Sequence, residues 1–399
     1  MCEFFYEKLH MTKMAHTIHF SASLQKYHFF ICCKPIINRG IMSIIGTRLQ
    51  QARKAAGMSL RDLATVVKLS HTAIKKYEDG DTYPSSDILI KLAKALQVCI
   101  DFFFRPAKVS LENVKFRKRK KLQGKAESAI KFTVINQIER RLELENLYPT
   151  PPVSPFVLPT NFPQEINNFE EIEVIAENLR ASWKLGFDAI HDLTDVCESH
   201  GIRVFVIDTD EEHFDGLSTT IDDQPIIVIS TKWPGDRQRF NVAHELAHYI
   251  FINRLSPKLD EEQACNRFAG AFLLPRETVF QIIGKERRTI EWQELLLLKE
   301  QFQLSMSAIC YRLKDLMIIK ESYFKNLIIR FRARGWHLKE PGLATPPEKA
   351  HTFNQMLFHA LGEEYIGESK AAELLSCSLS QLKALRQVQN SHDFTYQRC

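Results

Sequence analysis

The sequence lacks the features that mark a secreted, membrane-spanning or fibrous chain. Its nine cysteines include no CxxC pair, and Cys32 and Cys33 are simply adjacent. An odd, scattered set of thiols supplies no disulfide framework and reads as reduced cysteines in a cytoplasmic protein. No run of about 18 apolar residues exists, so no helical membrane span is expected. The first residues lack the basic–apolar–small order of a secretory signal. No internal repeat is visible.

The rest is ordinary globular composition, with 45% hydrophobic and 25% charged residues. At 399 residues there is room for two or three domains. The net charge of +5 hides an asymmetry. Residues 42–125 hold 18 Lys and Arg against 7 Asp and Glu, a balance of +11. Residues 1–41 balance at +3, and the last 274 residues at −9. A basic module on an acidic body implies a polyanionic partner for one end.

Residues 1–41 show no sustained period and no helix caps. They are expected to be a disordered or mis-annotated extension, with Met42 as the working start. Residues 42–105 read as five short helices, and 106–125 as a basic connector. A charged helix follows over 126–147. Tyr148 to Pro163 holds six prolines, so it is neither helix nor central strand and marks a boundary. The connector, helix and Pro-rich linker together span 106–164. Beyond it come helices near Phe169–Leu185 and Ile190–His200, the strand "IRVFVID", and a hairpin, "DGLSTTIDDQPIIVIS". Its turn is expected at Asp222-Asp223-Gln224-Pro225. From about Asp260 the chain reads helical to its end, interrupted near Pro341–Pro347. The fold class is mainly α, with an α+β domain at 165–285 built on a small sheet and a helical region at 286–399.

In the basic segment, Ser59 and Ser70 stand at N-cap positions. Leu60, Leu63, Ala64 and Val67 form one apolar face, and Ala64 is small where two helices would cross. Ile74 and Tyr77 point the next helix inward. Ser70, His71, Thr72, Lys75 and Lys76 then face outward. Hydroxyls, an imidazole and two ammonium groups suit a major groove, where base edges need donors and phosphates need cations. Arg61 can hold a phosphate. Arg117, Lys118 and Arg119, inside "FRKRKK", would add phosphate contacts and steepen salt dependence. The segment "LRDLATVVKLSHTAIKKYEDG" resembles the XRE-type helix-turn-helix over roughly 60 residues. That resemblance implies binding to double-stranded operator DNA, often as a homodimer. It departs at Lys68, where the family often has Gly. A left-handed residue there would cost about 1 kcal/mol.

"RFNVAHELAHYIF", Arg239 to Phe251, is apolar enough for a buried helix, yet holds three ionisable groups. An unpaired buried carboxylate costs several kcal/mol. His244 and His248 are four apart and project from one face, with Glu245 about 100° round the axis. This is H-E-x-x-H. A metal ion explains the burial, because neutral imidazoles lose little on desolvation and gain two bonds. Zn²⁺ fits, and needs a third protein ligand. The competing reading is a pair of core histidines with a salt-bridged glutamate. Downstream, Cys265, Phe268, Ala269 and Phe272 form an inward helical stripe. Glu261 and Glu262 both extend it by a turn, so periodicity cannot choose between them.

The span from about Phe169 to Leu316 resembles the ImmA/IrrE family of zinc-dependent endopeptidases. It carries "GIRVFVID", "DGLS", "RFNVAHELAHYIF" and the pattern E-x-x-x-N-x-F-A-x-x-x-L-x-P. The resemblance implies a zincin-like fold and a gluzincin-like third ligand. In its pattern the ligand precedes Asn266 by four, which is Glu262. Cys265 stands where the family usually has Ala. Glu245 is then the catalytic base of the zinc endopeptidase, while Tyr249, His213 and Arg239 are oxyanion candidates of weaker standing. The tail "EKAHTFNQMLFHALGEEYIGESKAAELLSCSLSQLKAL" matches the family's common tail, with no chemistry of its own apparent. The resemblance implies a DNA-binding regulator that cuts a repressor or antitoxin-like protein, in mobile-element control or stress response. The alternative is a non-catalytic repressor whose metal domain is a sensor or structural site.

Overall fold

Capping chemistry sets the first helices. The computed structural model describes residues 44–105, 124–150, 152–160, 162–209, 211, 214–221 and 223–387. Residues 1–43, including the expected extension, and most of the basic connector, with Arg117, Lys118 and Arg119, lie outside the described residues. Helix α1 covers 44–55 and buries Ile45, Leu49 and Ala52, the spacing of one helical face. α2 (Leu60–Val67) starts at a capping box between Ser59 and Asp62. α3 (His71–Asp79) starts at Ser70, whose hydroxyl accepts from the Ala73 N–H. Between them Lys68 is left-handed, φ 57° and ψ 48°, as the family's glycine at this site implied. α1 crosses α3 at Gly46, where a Cβ would come within 2.5 Å of the Glu78 carbonyl oxygen. Arg53 and Glu78 pair at 2.5 Å beneath that crossing. α4 (Ser86–Leu96) and a 3₁₀ turn (Ile100–Phe104) close this core with Leu92, Phe102 and Phe103.

The charged helix is α5 (Lys125–Glu145). It joins three cores. Phe132 packs edge-on against Phe102 of the first module. Ile130, Val134, Ile135 and Ile138 cover one face of the sheet. Leu144 enters a third cluster with the C-terminal helices. The described residues of the Pro-rich stretch form neither helix nor strand, and they lie on the body: Phe156 and Phe162 are buried in the main core.

The sheet has strand order β1-β3-β2. β1 (Arg203–Ile207) runs parallel to β3 (Gln224–Ser230), with Arg203 opposite Ile226. β2 (Gly216–Ile221) pairs antiparallel with β3, from Gly216–Ile229 to Ile221–Gln224. The hairpin turn is therefore tighter than expected, since Gln224 and Pro225 already belong to β3. Side chains alternate, with Ile227 and Ile229 facing the main core and Ile226 and Val228 facing α5. Between the linker and the sheet come α6 (Phe169–Ser182) and α7 (Leu193–Ser199).

α8 (Gly235–Ile250) lies on the sheet face opposite α5 and packs on α9 (Glu261–Leu273). α10 (Arg276–Ile282), α11 (Trp292–Phe302), α12 (Met306–Asp315) and α13 (Glu321–Ala333) follow. α14 (Thr352–Gly362), α15 (Glu368–Leu375) and α16 (Leu379–Arg386) complete the described chain. From 261 to 387 the described residues form helices and no strand, with a break around 334–351, which matches the reading from sequence. No described helix is long and apolar enough to cross a membrane.

Candidate metal centre

Two helices build the centre. On α8, the i, i+4 spacing sets the His244 and His248 rings edge to face, 4.8 Å between centroids. Both are buried, and Glu245 between them is 2% exposed. α9 meets α8 side by side and brings four residues of its first two turns to these rings.

Each imidazole uses its two nitrogens differently. Nδ1 of His244 donates to Oδ1 of Asn266 at 3.0 Å. Nδ1 of His248 donates to Oε1 of Glu261 at 2.9 Å. A donor hydrogen on Nδ1 leaves Nε2 with its lone pair, the tautomer a metal requires. Both Nε2 atoms face Glu262, whose Oε2 lies 3.3 Å from His244 and Oε1 3.5 Å from His248. The Glu262 side chain is 65% exposed, so the centre opens to solvent on that side.

Both glutamates that periodicity left open thus reach the site, one on each side of His248. A third group was missed. The Cys265 thiol lies 3.3 Å from Nδ1 of His248 and is fully buried. His244, His248 and Cys265 also place three donor atoms within 4.8 Å of one another. The two sets differ in orientation. A set with sulfur turns His248 toward its Nδ1, which Glu261 already holds, whereas Glu262 sits before both Nε2 atoms. Cys265 stands three residues after Glu262 on the inward stripe. That spacing was the available signal.

The sheet supplies the other wall. β2 has no strand on its outer side among the described residues, although Gly216 to Thr219 are buried. A Cβ on Gly216 would sit 3.6 Å from Cγ of Glu245, so the start of β2 lies directly against this carboxylate. Two of the oxyanion candidates are committed elsewhere. Arg239 is fully buried and donates to the Ile190 carbonyl and to Gln303 Oε1. Burial pulls its pKa down despite Glu348 nearby. The Tyr249 hydroxyl donates to the Asp223 carbonyl at 3.3 Å, and burial, then the Asp223 charge, push its pKa up. His213 lies outside the described residues.

In the first module, Arg61, Ser70, His71, Thr72, Lys75 and Lys76 are all exposed. Ser70 also serves as the α3 cap. Lys75 pairs with Asp79 one turn on, at 2.6 Å, and that hydrogen bond raises its pKa. Ile74 is fully buried, so the outward set shares one side of α3.

Comparison with known proteins agrees with both halves. Residues 197–314 match the family model of the IrrE N-terminal-like domain, and residues 49–103 that of a helix-turn-helix. A transcriptional repressor of the cryptic phage CTXphi, RstR, from Vibrio cholerae is 39% identical over 57 residues. That match covers 14% of this chain and 51% of RstR. An uncharacterized HTH-type transcriptional regulator of Rickettsia conorii is 38% identical over 64 residues, covering 16% of this chain and 51% of its own. This chain spans about half the length of these curated relatives. A solved structure, the apo form of ComR from S. thermophilus, aligns with 86% of this chain and 98% of its own at 12% identity. Its TM-score of 0.16 is too low to bear on the fold. The chain is thus similar to a helix-turn-helix over residues 49–103 and to the IrrE N-terminal-like domain over 197–314.

Proposed function

We propose that this chain is a DNA-binding transcriptional regulator with a fused zinc-dependent endopeptidase that cuts a specific repressor or antitoxin-like protein. The seating of Glu245 carries this reading. It is a buried carboxylate beside two imidazoles and against the border strand of a sheet, and a purely structural metal site has no use for it.

The donor set fits zinc: two imidazole Nε2 atoms and a carboxylate, with both Nδ1 atoms already hydrogen-bonded. His244, His248 and Glu262 would hold the ion. When bound, zinc lowers the pKa of a water toward about 7 and polarises a peptide carbonyl. Glu245 accepts the proton of the attacking water and passes it to the leaving amine. Asn266 and Glu261 keep the imidazoles oriented. An extended peptide laid along β2 would bring its scissile bond beside Glu245, and Gly216, where a Cβ would meet the Val228 carbonyl at 2.7 Å, lets the strand sit close to that carboxylate. At the other end, α3 presents His71, Thr72, Lys75 and Lys76 to the major groove, with Arg61 on a phosphate.

Glu245→Gln tests the reading. Gln has nearly the same shape and cannot take the proton, so zinc content and DNA binding should persist. Cleavage should fall by roughly 10²–10⁴-fold. Proteins that shorten when the wild-type chain is induced should stay full length with Glu245→Gln, and the regulated genes should stop switching. Normal switching with Glu245→Gln would assign the domain to sensing instead.

A further inference from the structure

The helix-turn-helix geometry of α2 and α3 recurs at the far end of the chain. α2 has eight residues and ends on left-handed Lys68, followed by Leu69 and the N-cap Ser70. α15 has eight residues and ends on left-handed Ser376, φ 54° and ψ 41°, followed by Cys377 and the N-cap Ser378. The hydrogen bonds repeat as well. The Lys68 N–H donates to the carbonyls of Ala64 and Thr65, and the Ser376 N–H to those of Ala372 and Glu373. Leu69 reaches back to Ala64 at 2.9 Å, and Cys377 to Ala372 at 3.0 Å. The Ser70 hydroxyl accepts from Ala73 at 3.1 Å, and that of Ser378 from Gln381 at 3.2 Å. Ala64 and Ala372 are the small buried residues at the crossing, and Ile74 and Leu382 are the inward anchors four residues past each cap. The likeness lies in the backbone and not in the sequence.

Other copies of the turn show what matters: Gln97 and Val98 repeat its hydrogen bonds ahead of the 3₁₀ turn, which opens no α-helix. Gln303, Leu304 and Ser305 join α11 to α12 in the same way. But α12 buries Met306, Ile309, Cys310, Arg312 and Leu313 and packs between α9 and α13. Of its residues only Tyr311 is exposed. α16 buries Leu382 alone and exposes Leu379, Ser380, Lys383 and Ala384.

We propose that α14–α16 form a second DNA-binding helix-turn-helix, with α16 entering a major groove of double-stranded DNA. The proposal rests on the reading that α3 binds DNA. α16 carries Lys383 and Arg386 and no acidic residue, which suits a polyanion. Its outward face offers an ammonium at Lys383 for phosphate or guanine, an apolar surface at Leu379 for a thymine methyl, and the exposed Ser380 hydroxyl, which shares a hydrogen bond with the Ser378 hydroxyl at 2.8 Å. Arg386 is held by Glu368, and Gln381 Oε1 accepts from the cap at Ser378, so these two close the module itself. Met356, Leu357 and Ala360 of α14 complete its core. The two modules are tied together. Arg105 pairs with the Glu373 carboxylate at 3.1 Å and donates to its carbonyl at 2.8 Å. Their spacing on a duplex is therefore fixed by buried contacts.

The test uses the full chain and a random-sequence duplex library. Bound duplexes are selected, then mapped by hydroxyl-radical footprinting and by the slope of log K against log salt. The wild type should protect two stretches. Lys75→Glu with Lys76→Glu should remove one. Ser380→Glu with Lys383→Glu should remove the other and reduce the slope by about 0.9 per lost phosphate contact. Both pairs are exposed, so the circular dichroism spectrum should not change. If Ser380→Glu/Lys383→Glu keeps the wild-type footprint and slope, the proposal is overturned while the α3 reading stands. If the Lys75→Glu/Lys76→Glu chain keeps the wild-type footprint, the α3 reading fails, and with it the premise that the two modules act alike. A library from which the full chain enriches nothing overturns both.

Discussion

Arg48 on α1 and Glu139 on α5 meet at 2.8 Å with side chains 1% and 6% exposed. Arg48 also donates to the Arg105 carbonyl and stacks over Phe102. One guanidinium therefore fastens the helix-turn-helix module to the helix that roofs the sheet.

Removing the acid strands a buried cation. Glu139→Leu should lower unfolding free energy by about 3 kcal/mol, measured by urea denaturation. Adding Arg48→Met should recover most of that loss, because the second change removes the unpaired charge. A Glu139→Leu chain as stable as the wild type would mean that solvent reaches Arg48.

The metal centre separates three carboxyl and thiol neighbours by their roles. Glu262→Ala should abolish the binding of one zinc per chain, as should His244→Ala. Glu261→Ala and Asn266→Ala should weaken zinc by about 10–100-fold, as for groups that orient a ligand. Cys265→Ala should keep it. Metal analysis showing loss in Cys265→Ala and full zinc in Glu262→Ala would exchange the assignments.

Glu173 should make the protein acid-sensitive. Burial pushes its carboxyl upward, but paired hydrogen bonds from Arg312, with the charge of Arg267, outweigh this and hold it below the ordinary range. Its stabilisation is present above the pKa of the unfolded carboxyl and is lost as pH falls through the lower folded value. Stability should drop as pH falls from about 4. Glu173→Gln should lose about 3–5 kcal/mol at neutral pH and show a shallower acid slope by differential scanning calorimetry.

Lys68 holds a left-handed backbone with a Cβ attached. Lys68→Gly should stabilise the first module by up to about 1 kcal/mol, or about 2–4 °C in a melt of the whole chain at most. A lower melting temperature would show that the lysine side chain contributes more than the strain it imposes.

Local chemistry was legible in the sequence. Ser59 and Ser70 cap where their hydroxyls and spacing place them, and His244, Glu245 and His248 share one helix because i, i+4 leaves no other geometry. What depends on two elements meeting was not. Periodicity cannot tell Glu261 from Glu262, since α9 brings one to each side of His248. The approach of Cys265 to that ring was invisible for the same reason. α5 reads as merely charged because its apolar residues face three different neighbours and form no single stripe. The repeated turn escaped notice because Lys68, Gln303 and Ser376 share a conformation and no chemistry.

The position of α5 limits how this protein can be divided. A truncation that begins at residue 165 would keep every residue of the zinc centre, yet uncover Phe205, Leu217, Ile226 and Val228, which α5 shields. Such a fragment would present a bare apolar sheet to water and tend to aggregate. Recombination that exchanged the DNA-binding end at residue 105 would have to preserve the partners of Arg105 on α5 and α15. The helix-turn-helix module and the IrrE-like domain therefore share one helix, and a working separation would have to carry α5 with the latter.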